Sequence, residues 1–166
     1  MADSALPSAG ETGGIGTRYD EASASPGFVL WQVAMVWQRG VRAALAEAGL
    51  THAQFVLLAS AGWLEARSAE RGGEIVTQAL IAAHARTDAV MTSEVLRTLE
   101  KKALLQRLPH PTDARARRIA LTDEGRALAR RSTALVEAVD ASFFGAPGTE
   151  LQALARILCR EPQADQ

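Results

Sequence analysis

The chain has 166 residues, about the length of one domain with a real core. It is 48% hydrophobic but only 5% aromatic, and its richness in Ala and Leu favours helices. The sequence excludes a membrane span, which needs about 20 apolar residues, and a secretory signal. It also excludes an internal disulfide, since Cys159 is the single cysteine. A cytoplasmic setting is therefore expected.

The net charge of -1 is unevenly spread. Up to Gly27, Arg18 stands against Asp3, Glu11, Asp20 and Glu21. Between His84 and Arg118 eight cations face four carboxylates, so this part of the chain is basic.

Residues 1–26 are rich in Gly, Ser, Ala and acids, and read as a flexible acidic tail. The first helix is expected over 28–48, with Ser25 as cap, Pro26 in the first turn and Gly49 as stop. Phe28, Val29, Leu30, Trp31, Val33, Met35, Val36, Trp37 and Val41 leave it apolar nearly all round. Such a helix is buried on more than one side, and in so small a chain the second side points to another subunit or to a central monomer core.

Thr51 and Gln54 have the spacing of a capping box, which opens a second helix to about Arg67. Ser68 to Gly73 reads as a loop, and Glu74-Ile75-Val76 can pair only at a sheet edge. Thr77 caps a third helix over 78–85, Arg86-Thr87-Asp88 makes a turn, and Asp88 caps a fourth over 89–102. In that fourth helix Thr92, Val95, Leu96 and Leu99 form an inward stripe. Ala89, Val90, Ser93, Glu94 and Arg97 lie towards the other side.

Strands are expected over 104–108 and 117–121. The two prolines of Pro109-His110-Pro111 cannot donate to a ladder and so mark the hairpin tip. Ile119 and Leu121 fall on one side of the second strand and Arg118 on the other. Thr122 caps a long fifth helix carrying Leu128, Leu135, Val136, Val139, Phe143 and Phe144, which Gly145-Ala146-Pro147-Gly148 breaks. A last helix starts at Thr149.

The order is therefore helix, turn, helix, two-stranded wing. The fold class is mainly α with a small β-wing, a winged helix-turn-helix flanked by N- and C-terminal dimerisation helices. Residues 28–48 and 123–160 are assigned to dimerisation, 50–122 to the winged DNA-binding region, and 161–166 to a C-terminal tail.

Four stretches resemble the MarR family of transcriptional regulators. Leu50-Thr51-His52-Ala53-Gln54-Phe55 is similar to its L-T-x-x-Q-aromatic start of helix two, and Val76-Thr77-Gln78 through Asp88 to its first helix-turn-helix element. Leu99 through Arg107 is similar to its L-E-x-K-G-L run. Asp113-Ala114-Arg115, followed by Ile119-Ala120-Leu121-Thr122-Asp123-Glu124-Gly125, is similar to its D-x-R wing and L-T-x-x-G exit. Ala103 and Arg86 stand where the family commonly has glycine. If Ala103 needs a left-handed backbone it costs roughly 1 kcal/mol.

The resemblance implies a homodimer that binds a pseudo-palindromic operator in double-stranded DNA, usually as a repressor, and releases it when a small aromatic or phenolic ligand binds. Thr77, Arg86, Thr92, Ser93, Arg97, Arg115, Arg117 and Arg118 are the candidate DNA contacts, because phosphates and guanine edges call for cations and donors. Asp113 is expected to orient a wing arginine. Trp31, Met35, His52 and Phe55, with Trp37, are the candidate ligand lining.

Cys159 reads as structural or incidental. No cofactor or metal is expected: the three histidines lack ligand spacing. The chain has no nucleotide or nucleophile fingerprint. The competing reading is a winged-helix module that binds protein and not DNA.

Overall fold

The computed structural model describes residues 16–70, 73–110, 117–145 and 151. The chain divides between Arg39 and Gly40 into two compact units.

In the first unit a 3-10 turn, Ala22–Ala24, leads into α1, Pro26–Ala46, which continues into the second unit. Pro26 opens the helix, as expected of a residue whose missing N–H is no loss in a first turn. Phe28, Val29, Leu30, Trp31, Val33 and Val36 are exposed, and the Phe28 and Trp31 rings stack with centroids 6.0 Å apart. Arg18 lies over the Tyr19 ring.

The second unit contains the end of α1 and then α2 (His52–Glu70), α3 (Gln78–Ala85), α4 (Ala89–Lys101), β1 (Leu105–Pro109), β2 (Arg117–Leu121) and α5 (Asp123–Phe144). α1 stops two residues before its expected end. Gly49 takes a left-handed φ of 63°, and the Leu50 amide turns back to the Leu45 carbonyl. The capping box then forms in both directions: the Gln54 amide donates to Thr51 Oγ1 at 3.2 Å and the Thr51 amide to Gln54 Oε1 at 3.3 Å.

α2 is the central element, packed against α3, α4, α5 and β2. Its Phe55, Leu57, Leu58 and Ala61 join Val41, Leu45, Ile81, Leu96, Leu99, Leu105, Ile119 and Leu121 in the core. The strands pair antiparallel from Leu105 opposite Leu121 to Pro109 opposite Arg117. β1 thus begins and ends one residue later than expected. The Leu104 carbonyl is taken by the Thr122 amide at 3.1 Å, and a proline at a strand's last position need not donate. The segment before α3 does reach the sheet edge: the Ile119 amide donates to the Val76 carbonyl at 2.8 Å, and Thr77 bridges to Arg118.

α5 buries Gly125, Ala129, Ser132 and Val136. Of the large apolar residues that the sequence puts on this expected dimerisation helix, only Val136 is buried within the chain. Leu128, Leu135 and Val139 are half-buried, and Phe143 and Phe144 are exposed. Of the expected hairpin tip, Pro109 instead closes β1 and His110 follows it, while residues 111–114, with Asp113, lie outside the described residues, as do Arg115 and all of the expected last helix except Leu151, Cys159 included. No described helix is long and apolar enough to cross a membrane.

Candidate nucleic-acid interface

Local chemistry sets the geometry of α3 and α4. Thr77 Oγ1 accepts the Leu80 amide at 3.3 Å and Asp88 Oδ1 the Met91 amide at 2.8 Å, so each helix has a side-chain cap. Between them Arg86 adopts φ 51°, ψ 44°. This left-handed turn, where glycine would be unstrained, sets the angle between the helices and leaves Arg86 exposed. Gln78 Nε2 donates to the Ala89 carbonyl at 3.4 Å, tying the start of α3 to the start of α4.

α4 has two faces. Thr92, Leu96 and Leu99 are buried, whereas Ala89, Val90, Glu94, Arg97 and Lys101 are exposed. Thr92 had been expected both on the inward stripe and at the DNA, and the structure decides for the core. It is fully buried, its hydroxyl donates to the Asp88 carbonyl at 2.7 Å, and its oxygen lies 2.8 Å from Thr87 Oγ1. No surface or hydrogen is left for a phosphate, and Thr92 is removed from the candidate contacts.

Thr77 and Ser93 are half-buried, and Arg97, Arg117 and Arg118 are exposed. Asp113 and Arg115 fall outside the described residues.

Arg107 carries a role not foreseen from sequence. From β1 its Nη2 donates to the Ser93 carbonyl at 3.0 Å. Its Nε lies 3.3 Å from Glu100 Oε2, an ion-pair contact without hydrogen-bond geometry, and its backbone amide donates to Glu100 Oε1 at 3.2 Å. Arg107 therefore ties the hairpin to the exposed helix. Its place on the inward side of a β-alternation was a signal for this, but the partner carbonyl was not readable.

Lys102 is also engaged: its Nζ donates to the Gly49 carbonyl at 2.8 Å and to Gln54 Oε1 at 3.1 Å. Arg97, by contrast, points outward from α4.

The exit from the wing is close-packed. Ala103 adopts φ 56°, so the left-handed backbone considered from sequence is present with an alanine in it. Thr122 Oγ1 donates to the Ala103 carbonyl at 2.8 Å and accepts the Gly125 amide at 3.0 Å. A Cβ on Gly125 would lie 1.8 Å from the Leu104 carbonyl oxygen, so only glycine fits there.

A cavity of about 920 Å³ lies among α2, α3, β2 and α5. Phe55, Trp63, His84, Leu121, Arg126 and Arg130 are among its lining residues. The Trp63 and His84 rings stack at 4.7 Å and 17°, and the Arg67 guanidinium sits 5.1 Å from the Trp63 centroid. Glu65 crosses from α2 to accept the Leu121 amide at 2.8 Å and pair with Arg126 at 2.6 Å.

Of the five candidate lining residues, only Phe55 borders this cavity, and Trp37, half-buried, belongs to the first unit. His52 is half-buried at the start of α2 but outside the lining. Trp31 and Met35 belong to the first unit, Trp31 57% exposed and Met35 half-buried. Trp63 and His84 were missed; Trp63 follows Phe55 by eight residues, a spacing that keeps both on one helical face. Burial lowers the His52 pKa from its ordinary 6.5, Arg42 lowers it further, and Asp140 opposes both. The described residues hold no cluster of His, Cys, Asp and Glu able to bind a metal.

No family profile matches the chain, but individual relatives do. The HTH-type transcriptional regulator YdcH of Bacillus subtilis is 42% identical over 130 residues, 78% of this chain and 85% of that one. The HTH-type transcriptional repressor Rv2887 of Mycobacterium tuberculosis is 35% identical over 115 residues, 69% of this chain and 76% of that one. Its crystal structure, that of a MarR family protein, superposes with a TM-score of 0.56 over 82% of this chain and 92% of that one. CouR from Rhodococcus jostii, solved bound to p-coumaroyl-CoA, superposes with a TM-score of 0.69 at 29% identity, over 84% of this chain and 93% of CouR.

Proposed function

The chain belongs to the MarR family of DNA-binding transcriptional regulators, and from that premise we propose that it is a homodimeric repressor released by a small aromatic ligand. In this reading each subunit lays the exposed face of α4 in a major groove, and the hairpin of β1 and β2 reaches the adjacent minor groove. Thr77, Arg86, Ser93, Arg97, Arg115, Arg117 and Arg118 meet phosphates or base edges, and Asp113 orients a wing arginine.

The observation that carries this reading is Arg107. It locks the hairpin onto α4, so Arg97 and the arginines of β2 are presented by one rigid body. Cations carried on a preassembled pair of elements meet a duplex with less ordering cost at the moment of binding.

Exposed apolar side chains support the dimer: Phe28, Leu30, Trp31 and Val36 on α1, and Phe143 and Phe144 at the end of α5. The cavity supports the ligand. Its volume suits a small molecule, and the stacked Trp63 and His84 offer an aromatic wall. CouR is a relative in fold whose ligand, p-coumaroyl-CoA, carries an aromatic ring.

The test is selection of duplexes from a randomised pool, followed by a gel-shift titration at several salt concentrations. Binding should weaken steeply with salt. Arg97→Ala and Arg115→Ala should each weaken it by about 1–3 kcal/mol. A pool from which no duplex is enriched would refute the reading.

A further inference from the structure

Val90 is the most exposed large apolar side chain among the described residues, at 69%. It lies in the first turn of α4, where a recognition helix brings its residues to base edges. Glu94, Arg97 and Lys101 follow at helical spacing on the same face, and all are exposed. Thr92, Leu96 and Leu99 take the opposite, buried face. Packing within the chain therefore gives no reason for a valine at this place.

The surroundings narrow the partner. An apolar protein surface seated on Val90 would also have to strip water from Glu94 and Arg97, which is costly without matched partners. A major groove accepts those charged neighbours, since phosphates and guanine take cations and the cytosine amino group donates to a carboxylate. The one apolar group on its base edges is the thymine C5-methyl.

The backbone under Val90 is also held. Asp88 caps the helix at the Met91 amide, the Thr92 hydroxyl bonds the Asp88 carbonyl, and Gln78 reaches the Ala89 carbonyl from α3. A β-branched valine on a helix has one strongly preferred rotamer. Docking its methyls consequently loses little freedom, and a misplaced base cannot be followed by rearrangement.

We infer that Val90 is a specificity-determining residue that packs on a thymine methyl in each half-site, so that the operator carries thymine at that position. This rests on the DNA-binding reading above and adds to it the identity of one base.

The experiment uses the full chain and the duplex recovered by selection. Each thymine is replaced by deoxyuridine, symmetrically in both half-sites, which removes only the methyl. At one position wild-type affinity should fall about fourfold per methyl, or about fifteenfold for the pair, from the transfer free energy of one methyl. Val90→Ser should bind the thymine duplex correspondingly more weakly and be indifferent to that replacement. Because Val90 is exposed, the variant should melt with the wild type, and the melting curve is recorded alongside.

If no replacement affects the wild type, or if Val90→Ser keeps the same sensitivity, the inference is overturned while DNA binding stands. If selection enriches no duplex, the DNA-binding reading falls and the inference with it.

Discussion

Gly125→Ala is the sharpest test of the wing exit. Gly125 is the third residue of α5, and its Cβ would lie 1.8 Å from the Leu104 oxygen, 2.8 Å from the Leu104 carbonyl carbon and 3.2 Å from its Cα. These are backbone atoms and cannot rotate aside. The first turn of α5 must withdraw, which lengthens the bond from the Thr122 amide to Leu104 and that from the Thr122 hydroxyl to Ala103.

Two such hydrogen bonds contribute about 1 kcal/mol each, and overpacking adds about 1–3 kcal/mol. Alanine's better helix propensity returns about 1 kcal/mol. The net loss is about 2–4 kcal/mol, or roughly 4–16 °C in melting temperature for a chain of this size. Urea and thermal unfolding followed by circular dichroism measure it. Gly62→Ala is the control: its Cβ would make only an ordinary 3.4 Å contact with Leu121 Cδ2, so the variant should match or exceed the wild type. A Gly125→Ala protein as stable as the wild type would refute the close-packed exit.

Ala103→Gly should stabilise the chain. It removes a left-handed alanine costing about 1–2 kcal/mol and gives back about 0.4–1 kcal/mol in unfolded-chain entropy, for a net gain near 0.5–1 kcal/mol in urea unfolding. An unchanged or lower midpoint would contradict the strain. Because the folded-state pKa of His52 is lowered, the native chain favours the neutral ring. The stability this adds is fully present above about pH 6.5 and is lost as pH falls through the folded pKa. His52→Gln should therefore flatten the fall in urea midpoint below about pH 6.5, and an equally steep fall would dismiss His52 as its source. Arg107→Ala should weaken operator binding about tenfold by freeing the hairpin, with the salt slope kept because no phosphate contact is lost. A shallower slope would make Arg107 a phosphate ligand.

Most helix boundaries were legible because their chemistry is local. The Thr51–Gln54 box and the caps at Thr77, Asp88 and Thr122 each join atoms three residues apart. Gly49 and Gly145 stop helices through a φ that other residues rarely adopt. The alternation of Ile119 and Leu121 likewise announced which face of β2 is buried. The pattern of caps, apolar spacing and prolines supplied the order helix, turn, helix, wing, but not which side chains within it are spent on structure.

Those assignments were made by hydrogen bonds and packing that the motifs do not record, some within one turn and some between elements. Thr92 carries a donor suited to a phosphate, and only the packing of α4 shows that hydroxyl consumed inside. Arg107 counted from sequence as one more basic residue. Its partners, Ser93 and Glu100, become visible once β1 folds back along α4. Trp63 and His84 come from different helices, and only the docking of α3 on α2 brings their rings together at the cavity.

The inner face of α5 shows the division clearly. By itself the sequence determined where that helix starts and stops, through Thr122 and Gly145, because caps depend on a few neighbouring atoms. It pointed to the large apolar residues as a stripe for dimerisation, and it left open what the helix buries within its own chain, which the tertiary structure shows to be Gly125, Ala129, Ser132 and Val136. The reason is distance: at Leu104 the helix meets backbone so closely that a Cβ has no room. How near two elements approach is a property of the packed fold, and no periodicity along one of them records it.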